Sequence, residues 1–364
     1  MTYTIGSAGF IGTGSSIITD FLKEFSDVDT YDKFEFRFIY STDGLLDLKY
    51  HLFEGNHKYQ TGTAAIYRFL KLVNSSACKN YNKATNGLFK TYAYEFIDKI
   101  VQGAWYGCYA DPVVEPKRGR YIQLLNRLKV FNLLYSIELK KGNIFTIYPI
   151  KKIMYSISPE NFDESAKEFL IKVFKAIGLD MNKNIAFNQI FSGNNPQASF
   201  PFLNSPRVIV VDRDPRDLYL QYKMVNYYTK ERQHPVKDVY TFIDLYKRMR
   251  NNQPYTKKDN NIMIINFEEM IYEYEKTSQR IMSFCNLSNH VYPKKFFDPS
   301  KSIANTQFYK QDTRYQNEIE IIEKELKEYL FDFSKFDVDI STFPESFDNN
   351  KANPEGRKWK KQEY

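Results

Sequence analysis

Apolar positions along this chain fall into two patterns. Some runs are short and uninterrupted: Tyr3-Thr4-Ile5-Gly6, Arg207-Val208-Ile209-Val210-Val211, and Asn261-Ile262-Met263-Ile264-Ile265-Asn266-Phe267. Such runs mark strands buried on both faces of a parallel sheet. Phe34-Glu35-Phe36-Arg37-Phe38-Ile39-Tyr40 instead alternates apolar and charged residues, which predicts a strand ending in the turn Ser41-Thr42-Asp43-Gly44. Residues 143–148 predict another strand. Elsewhere apolar residues recur at helical spacing. Examples are Ile17, Ile18, Phe21 and Leu22; Ala64, Ala65, Tyr67, Phe69 and Leu70; Tyr92, Tyr94, Phe96, Ile97 and Ile100; and Ile122, Leu124, Leu125, Leu128 and Phe131. Further helices are predicted at 160–177, from Leu218 through Met224, from Met270 to about Leu287, and through Ile319, Ile322, Leu326 and Leu330. Residues 296–307 read as a polar loop.

Strands alternating with helices predict an α/β fold with a parallel sheet covered by helices. The expected organisation is one domain over 1–335, with a mostly helical insertion at about 45–205, and a tail over 336–364. The tail is rich in Asp, Asn and Pro and ends Arg357-Lys358-Trp359-Lys360-Lys361.

A hydrophobic share of 43% over 364 residues is enough for a packed core. The net charge of +7 is spread along the chain, so it suggests affinity for anions rather than the dense basic surface of a nucleic-acid binder. Cys78, Cys108 and Cys285 are isolated, with neither metal spacing nor an even framework, which points to a reducing compartment. No run approaches the roughly 18 apolar residues of a membrane span. A first strand at Tyr3 leaves no room for a signal peptide. The expectation is a soluble cytoplasmic protein.

The candidate chemistry starts at Gly6-Ser7-Ala8-Gly9-Phe10-Ile11-Gly12-Thr13-Gly14-Ser15-Ser16, between the first strand and the first helix. Strand, glycine-rich turn and helix make an anion cradle. Glycines let backbone approach a phosphate, turn N–H groups point inward, and the helix start carries partial positive charge. The string Gly9-x-x-x-x-Gly14-Ser15-Ser16 fits a phosphate-binding loop except that Ser15 stands where the lysine belongs, which disfavours nucleoside triphosphate hydrolysis. Gly6-x-x-Gly9-x-x-Gly12 also fits a dinucleotide turn. The second informative stretch is Asp212-Arg213-Asp214-Pro215-Arg216-Asp217, at the carboxyl end of a predicted strand, where open α/β sheets bind ligands. Arginine forks suit phosphate.

The order of these motifs resembles the sulfotransferases that use 3′-phosphoadenosine 5′-phosphosulfate. The strand, glycine turn and Ser15-Ser16 come first, then Arg213 to Asp217 after a strand, then Phe267-Glu268-Glu269-Met270 after another. The resemblance implies a P-loop-type parallel sheet flanked by helices, and that donor as cofactor without a metal. It implies donor contacts at Gly9, Gly12, Thr13, Gly14, Ser15 and Ser16, a 3′-phosphate grip at Arg213 and Gln221, and a covering loop with Lys301, Ser302, Asn305 and Thr306. In branches of the family that act on sugars or tyrosine, a Glu on the second strand takes the acceptor proton. Glu35 is the candidate here, with Arg37 beside it, and Asp43, Asp47 and His51 are in reserve. The implied acceptor is a carbohydrate or other small molecule.

Two positions depart from the family. Gly12 stands where a lysine or arginine usually stabilises the leaving bridge oxygen. Losing such a group costs ~3 kcal/mol of transition-state stabilisation, so Arg37 or Lys301 has to serve. Gln221 stands where the family has a serine. Two other readings compete. One is an NAD-dependent sugar-nucleotide epimerase or dehydratase, with Tyr148 and Lys152 as its Tyr-x-x-x-Lys pair. That pair belongs inside a helix, where Pro149 sits poorly. The other is a nucleotide-binding protein without turnover.

Overall fold

The computed structural model describes residues 2–55, 58–108, 150–229, 234–251 and 259–343, with residues 124, 127 and 128. The chain forms two compact units, one from Met1–Arg37 and Leu179–Tyr364, the other from Phe38–Gly178.

The first unit begins with β1 (Thr4–Gly9), α1 (Ser16–Leu22) and β2 (Val28–Tyr31). The chain then enters the second unit through α2 (Leu45–Phe53), α3 (Tyr59–Asn74), α4 (Lys79–Ala84) and α5 (Leu88–Ile100). An antiparallel hairpin follows, β3 (Gly103–Cys108) with β4 (Ile150–Tyr155), and then α6 (Phe162–Ala176). The rings of Phe69, Phe89, Phe96 and Phe169 pack against one another between α3, α5 and α6. Each ring buried this way contributes roughly 1.5–3 kcal/mol, so these helices are held by their apolar stripes.

Back in the first unit come β5 (Asn184–Asn188), β6 (Pro206–Asp212), α7 (Pro215–Thr229), α8 (Val239–Asn251) and β7 (Ile262–Asn266). The short α9 (Glu269–Tyr272) and α10 (Tyr274–Cys285) follow, then α11 (Pro299–Ser302), α12 (Phe308–Gln311) and α13 (Gln316–Glu325). Five strands make one sheet in the order β2-β5-β1-β6-β7, and every pairing in it is parallel. The predicted α/β class with a parallel sheet flanked by helices is therefore observed. Ile5, Ile209, Val211 and Ile265 on the sheet pack with Ile17, Ile18 and Phe21 of α1 and with Ile281 and Cys285 of α10. A second cluster joins Tyr219 of α7, Phe242 and Tyr246 of α8, and Ile322 of α13.

One buried carboxylate ties the end of α1 to the chain beyond α10. Glu24 is fully buried, and it accepts from the N–H groups of Lys294, Phe296 and Phe297, each at 3.0 Å, and bonds His290 Nε2 at 2.7 Å.

The strand expected at 34–40 does not form. The second strand is β2, whose sequence Val-Asp-Thr-Tyr carries too few apolar residues to stand out. In the 34–40 stretch the described ladder contact is one bond, from Phe36 N–H to Asn188 O at 2.9 Å. Its alternation has another cause: Phe36 is buried, against Phe187, while Glu35 and Arg37 face out. The short β5, bounded by asparagines, was not anticipated. The elements expected at 122–131 and 143–148, and the part of the tail beyond residue 343 with Trp359, lie outside the described residues apart from 124, 127 and 128. No helix among the described residues is long and apolar enough to cross a membrane.

Candidate functional site

The sheet order creates a crevice. From β1 the chain moves toward β5 and β2, while from β6 it moves toward β7. The connections leaving the carboxyl ends of β1 and β6 diverge, and such a switch point is where open α/β sheets take ligands. The glycine loop leaves β1 there, and Arg213 leaves β6 beside it, because Gly9 and Val211 are register partners.

The loop is fixed by its own bonds. Both the N–H and the hydroxyl of Thr13 bond Phe10 O, at 3.1 and 2.8 Å, so this buried threonine closes the turn. Gly12 and Gly14 adopt φ of +76° and +81°, where a side chain would be strained. Among the described residues, the N–H groups of Gly12, Gly14 and Ser15 find no acceptor. Unbonded N–H groups clustered in a turn of this kind make an anion-binding concavity. Gly9 ends β1, Ser15 is buried, and Ser16 is exposed at the start of α1. The Ser15 hydroxyl does not cap the helix; it accepts from Gln189 Nε2 at 2.6 Å.

Arg213 gathers three of the predicted residues. Its Nη1 donates to Gly12 O at 3.3 Å and to Gln221 Oε1, and its Nη2 donates to Asn305 O. Arg213 is 98% buried, and its guanidinium lies against the rings of Phe267 and Phe308, with centroids 4.9 and 5.4 Å from Cζ. Its Nε finds no partner among the described residues. A cation removed from water in this way is stabilised only by what its forks meet. Here these are three neutral oxygens, one from the helix that follows Arg213 and two from segments distant in the chain.

The motif after β7 docks directly on the motif after β6. Asp214 N–H donates to Glu268 Oε1 at 3.0 Å, and Asp214 takes Arg216 in a two-pronged ion pair at 2.9 and 2.7 Å. Arg216 continues to Glu323 of α13 at 2.9 Å and stacks over the Tyr309 ring at 4.0 Å, so it anchors helices rather than facing the loop. Asp217 and Glu268 are fully buried. Asp217 Oδ2 accepts from Gln307 N–H at 2.7 Å, and its Oδ1, like Glu268 Oε2, has no partner among the described residues. Burial, then the neighbouring Asp214 charge, pushes the Asp217 carboxyl up to about 7. The same two causes push Glu268 well above the usual carboxylate range.

The segment predicted as a polar covering loop is short helix, and only part of it reaches Arg213. Lys301 is 83% exposed and lies 3.7 Å from Asp298, and Ser302 ends α11. Asn305 meets Arg213 through its carbonyl. Thr306 is buried, donating to Ile303 O and accepting from Tyr272, whose hydroxyl also accepts from Gln307 Nε2. Thr306 thus shapes the segment from within. Glu35 and Arg37 form an ion pair at 2.6 Å, created by a turn in which Arg37 N–H bonds Glu35 O, rather than by a strand face. Both are about half exposed, on a stretch pinned to the carboxyl end of β5 through Phe36. Asp43, Asp47 and His51 belong to the second unit. There Asp43 accepts from Arg68 at 2.9 Å, and His51 sits 4.0 Å from Asp47.

Three neighbours of the loop escaped the sequence reading. Gln189 follows β5 with φ of +59°. Gly193 lies so close to the loop that an added Cβ would come 2.5 Å from Gly9 O. Arg250, from α8, pairs with Asp212 at 2.7 Å and lies 4.4 Å from the centroid of the Phe10 ring. Burial opposes that cation, but Asp212 outweighs burial and the guanidinium is held more strongly charged than usual. No local pattern marks these residues, because each acquires its place only when the strands pair.

The geometry also bears on the dinucleotide alternative. Gly6 lies inside β1, with Phe191 and Ile190 packed where its side chain would be, so it does not open the turn. Lys152 lies on a strand of the hairpin, not on a helix, and Tyr148 is outside the described residues. Among the described residues no group of His, Cys, Asp and Glu side chains is arranged to hold a metal. The chain matches no family model and no curated protein sequence.

Proposed function

We propose that this protein is a sulfotransferase that moves a sulfuryl group from 3′-phosphoadenosine 5′-phosphosulfate to the hydroxyl of a carbohydrate or other small metabolite. The observation that carries the reading is the convergence on Arg213. Residues 12, 213, 221 and 305, each expected at a donor site, meet on one buried guanidinium beside a glycine loop whose Gly12, Gly14 and Ser15 N–H groups have no acceptor among the described residues. A phosphate fits this arrangement because it offers acceptor oxygens of the kind Arg213 already collects, and does so with compensating charge.

In this reading the loop N–H groups and the Ser15 and Ser16 hydroxyls hold the 5′-phosphosulfate, and Arg213 with Gln221 holds the 3′-phosphate. Asn305 and Thr306 shape the segment that covers it. The donor supplies an activated sulfuryl group for in-line transfer: the acceptor oxygen bonds to sulfur as the bond from sulfur to the bridging phosphate oxygen breaks, and 3′,5′-adenosine bisphosphate leaves. Glu35 takes the proton of the acceptor hydroxyl as attack proceeds, and Arg37 keeps its carboxylate oriented. Positive charge at the loop comes from Arg213, which reaches Gly12 O at 3.3 Å. Lys301 stands out in solvent, and Arg37 is engaged with Glu35. Fixed donors of this kind, aimed at developing charge, supply most of what such a reaction asks of a protein.

The test is calorimetric titration with 3′,5′-adenosine bisphosphate on the native protein, Arg213→Ala and Arg213→Lys. Micromolar binding by the native protein is expected. Arg213→Lys keeps the charge but loses the fork, and is expected to weaken binding at least about tenfold. Absence of binding by the native protein, or undiminished binding by a folded Arg213→Lys protein, refutes the reading.

A further inference from the structure

We infer that Gln189 is a positioning residue that makes the Ser15 hydroxyl a hydrogen-bond donor toward the anion held by the glycine loop. The inference rests on reading that loop as an anion cradle and adds a residue that no motif in the chain singled out. It begins with the way the chain leaves β5. Ser7 and Asn188 are register partners, and Ser7 Oγ donates to Asn188 Oδ1 at 3.2 Å. The next residue, Gln189, gives its N–H to Ser7 O at 3.2 Å and turns with φ of +59°. Ile190 and Phe191 are then fully buried, and Gly193 presses on Gly9. Backbone held on both sides leaves the Gln189 side chain little choice of direction. Its Nε2 reaches Ser15 Oγ at 2.6 Å.

A hydroxyl has one hydrogen and two lone pairs. When Gln189 donates to Ser15, one lone pair is filled and the Ser15 hydrogen must point elsewhere. Ser15 is 94% buried, and that hydrogen meets no acceptor among the described residues. It does not cap α1. A buried donor without an acceptor is costly, and a phosphate oxygen in the loop would satisfy it. Ser15 occupies the position where a phosphate-binding loop carries lysine. The loop therefore offers an oriented neutral donor in place of a cation. It suits a phosphoanhydride that does not need a γ-phosphate neutralised.

The test is a double-mutant cycle on the full chain with native protein, Ser15→Ala, Gln189→Met and the double variant. Each is titrated with 3′,5′-adenosine bisphosphate and with inorganic pyrophosphate, below its own melting temperature. Ser15→Ala is expected to weaken binding about tenfold or more, and Gln189→Met about three- to tenfold. In the Ser15→Ala background, Gln189→Met should cause no further loss, since its effect passes through the hydroxyl. Gln189→Glu accepts that hydrogen itself and should weaken binding more than Gln189→Met. Native-like binding by Gln189→Met, or an equal loss with and without Ser15, overturns the inference. Native binding of pyrophosphate but not of the bisphosphate overturns the proposed function and leaves the cycle readable on pyrophosphate. Binding of neither overturns both.

Discussion

Replacing Asp217 by Asn separates the proton held in the buried carboxyl cluster from the fold around it. Asp217 sits with Asp214 and Glu268 against Arg213 and Arg216, and its folded carboxyl is pushed from 3.8 up to about 7, first by burial and then by Asp214. In the unfolded chain the carboxyl regains its ordinary value. Between these two values the folded state holds the proton more strongly. Stability from this group is thus complete below about pH 4 and is lost as pH rises through 7. At about 1.4 kcal/mol per pH unit, the displacement corresponds to about 4 kcal/mol, and Glu268 shares it. Asparagine keeps the acceptor for Gln307 N–H and places an amide donor where Oδ1 has no partner among the described residues. Urea unfolding followed by far-ultraviolet circular dichroism at pH 5 and pH 8 measures the difference. Relative to native protein, Asp217→Asn should gain at least about 2 kcal/mol between the two values, half the linked total. An equal difference at both pH values, or a relative loss at pH 8, would refute the reasoning.

Two further outcomes follow from the frame that holds the loop. Glu24→Ala strands the N–H groups of residues 294, 296 and 297 and the His290 ring, so unfolding in urea should show a loss of about 3–5 kcal/mol. A loss under about 1 kcal/mol would mean water replaces the carboxylate. Gly193→Ala sets a methyl 2.5 Å from Gly9 O, which is backbone and gives way only if the loop moves. It should cost about 1–3 kcal/mol in thermal or urea unfolding and weaken binding of 3′,5′-adenosine bisphosphate along with it; unchanged stability would show that the contact relaxes without strain.

A central strand announces itself because both faces are buried. Val208 to Val211 of β6 need apolar residues at successive positions, and the pattern survives in one dimension. Ile262 to Ile265 shows the same run, yet β7 is an edge strand of which only Ile265 is buried and Ile264 is 38% exposed, so the expectation of burial on both faces is corrected there. Short polar strands do not stand out. Val28–Tyr31 carries polar residues in its middle, and Asn184–Asn188 is bounded by asparagines, so their strand character comes from the ladder offered by β5 and β1. The alternation at 34–40 misled for the converse reason. It records which side chains are buried, and a turn satisfies it as well as a strand does.

The candidate site divides the same way. Glycines at 12 and 14 were legible because positive φ demands that residue type, Gly9 because Thr13 crowds the place of its side chain, and Arg213 because its fork is of a kind that suits an anion. That Arg213 would meet Gly12 O and the carbonyl of Asn305 was a matter of strand order, which sets β6 beside β1 and brings a segment from 92 residues further on against both. Gln189, Gly193 and Arg250 carry no local signal, since their partners are 174, 184 and 38 residues away in the chain. Local chemistry thus determined where a loop could cradle an anion and that the stretch at 207–211 lies inside the sheet. Only the paired sheet decided which side chains face that loop, because contacts between distant segments follow strand order and register, and neither is written in any one stretch of sequence.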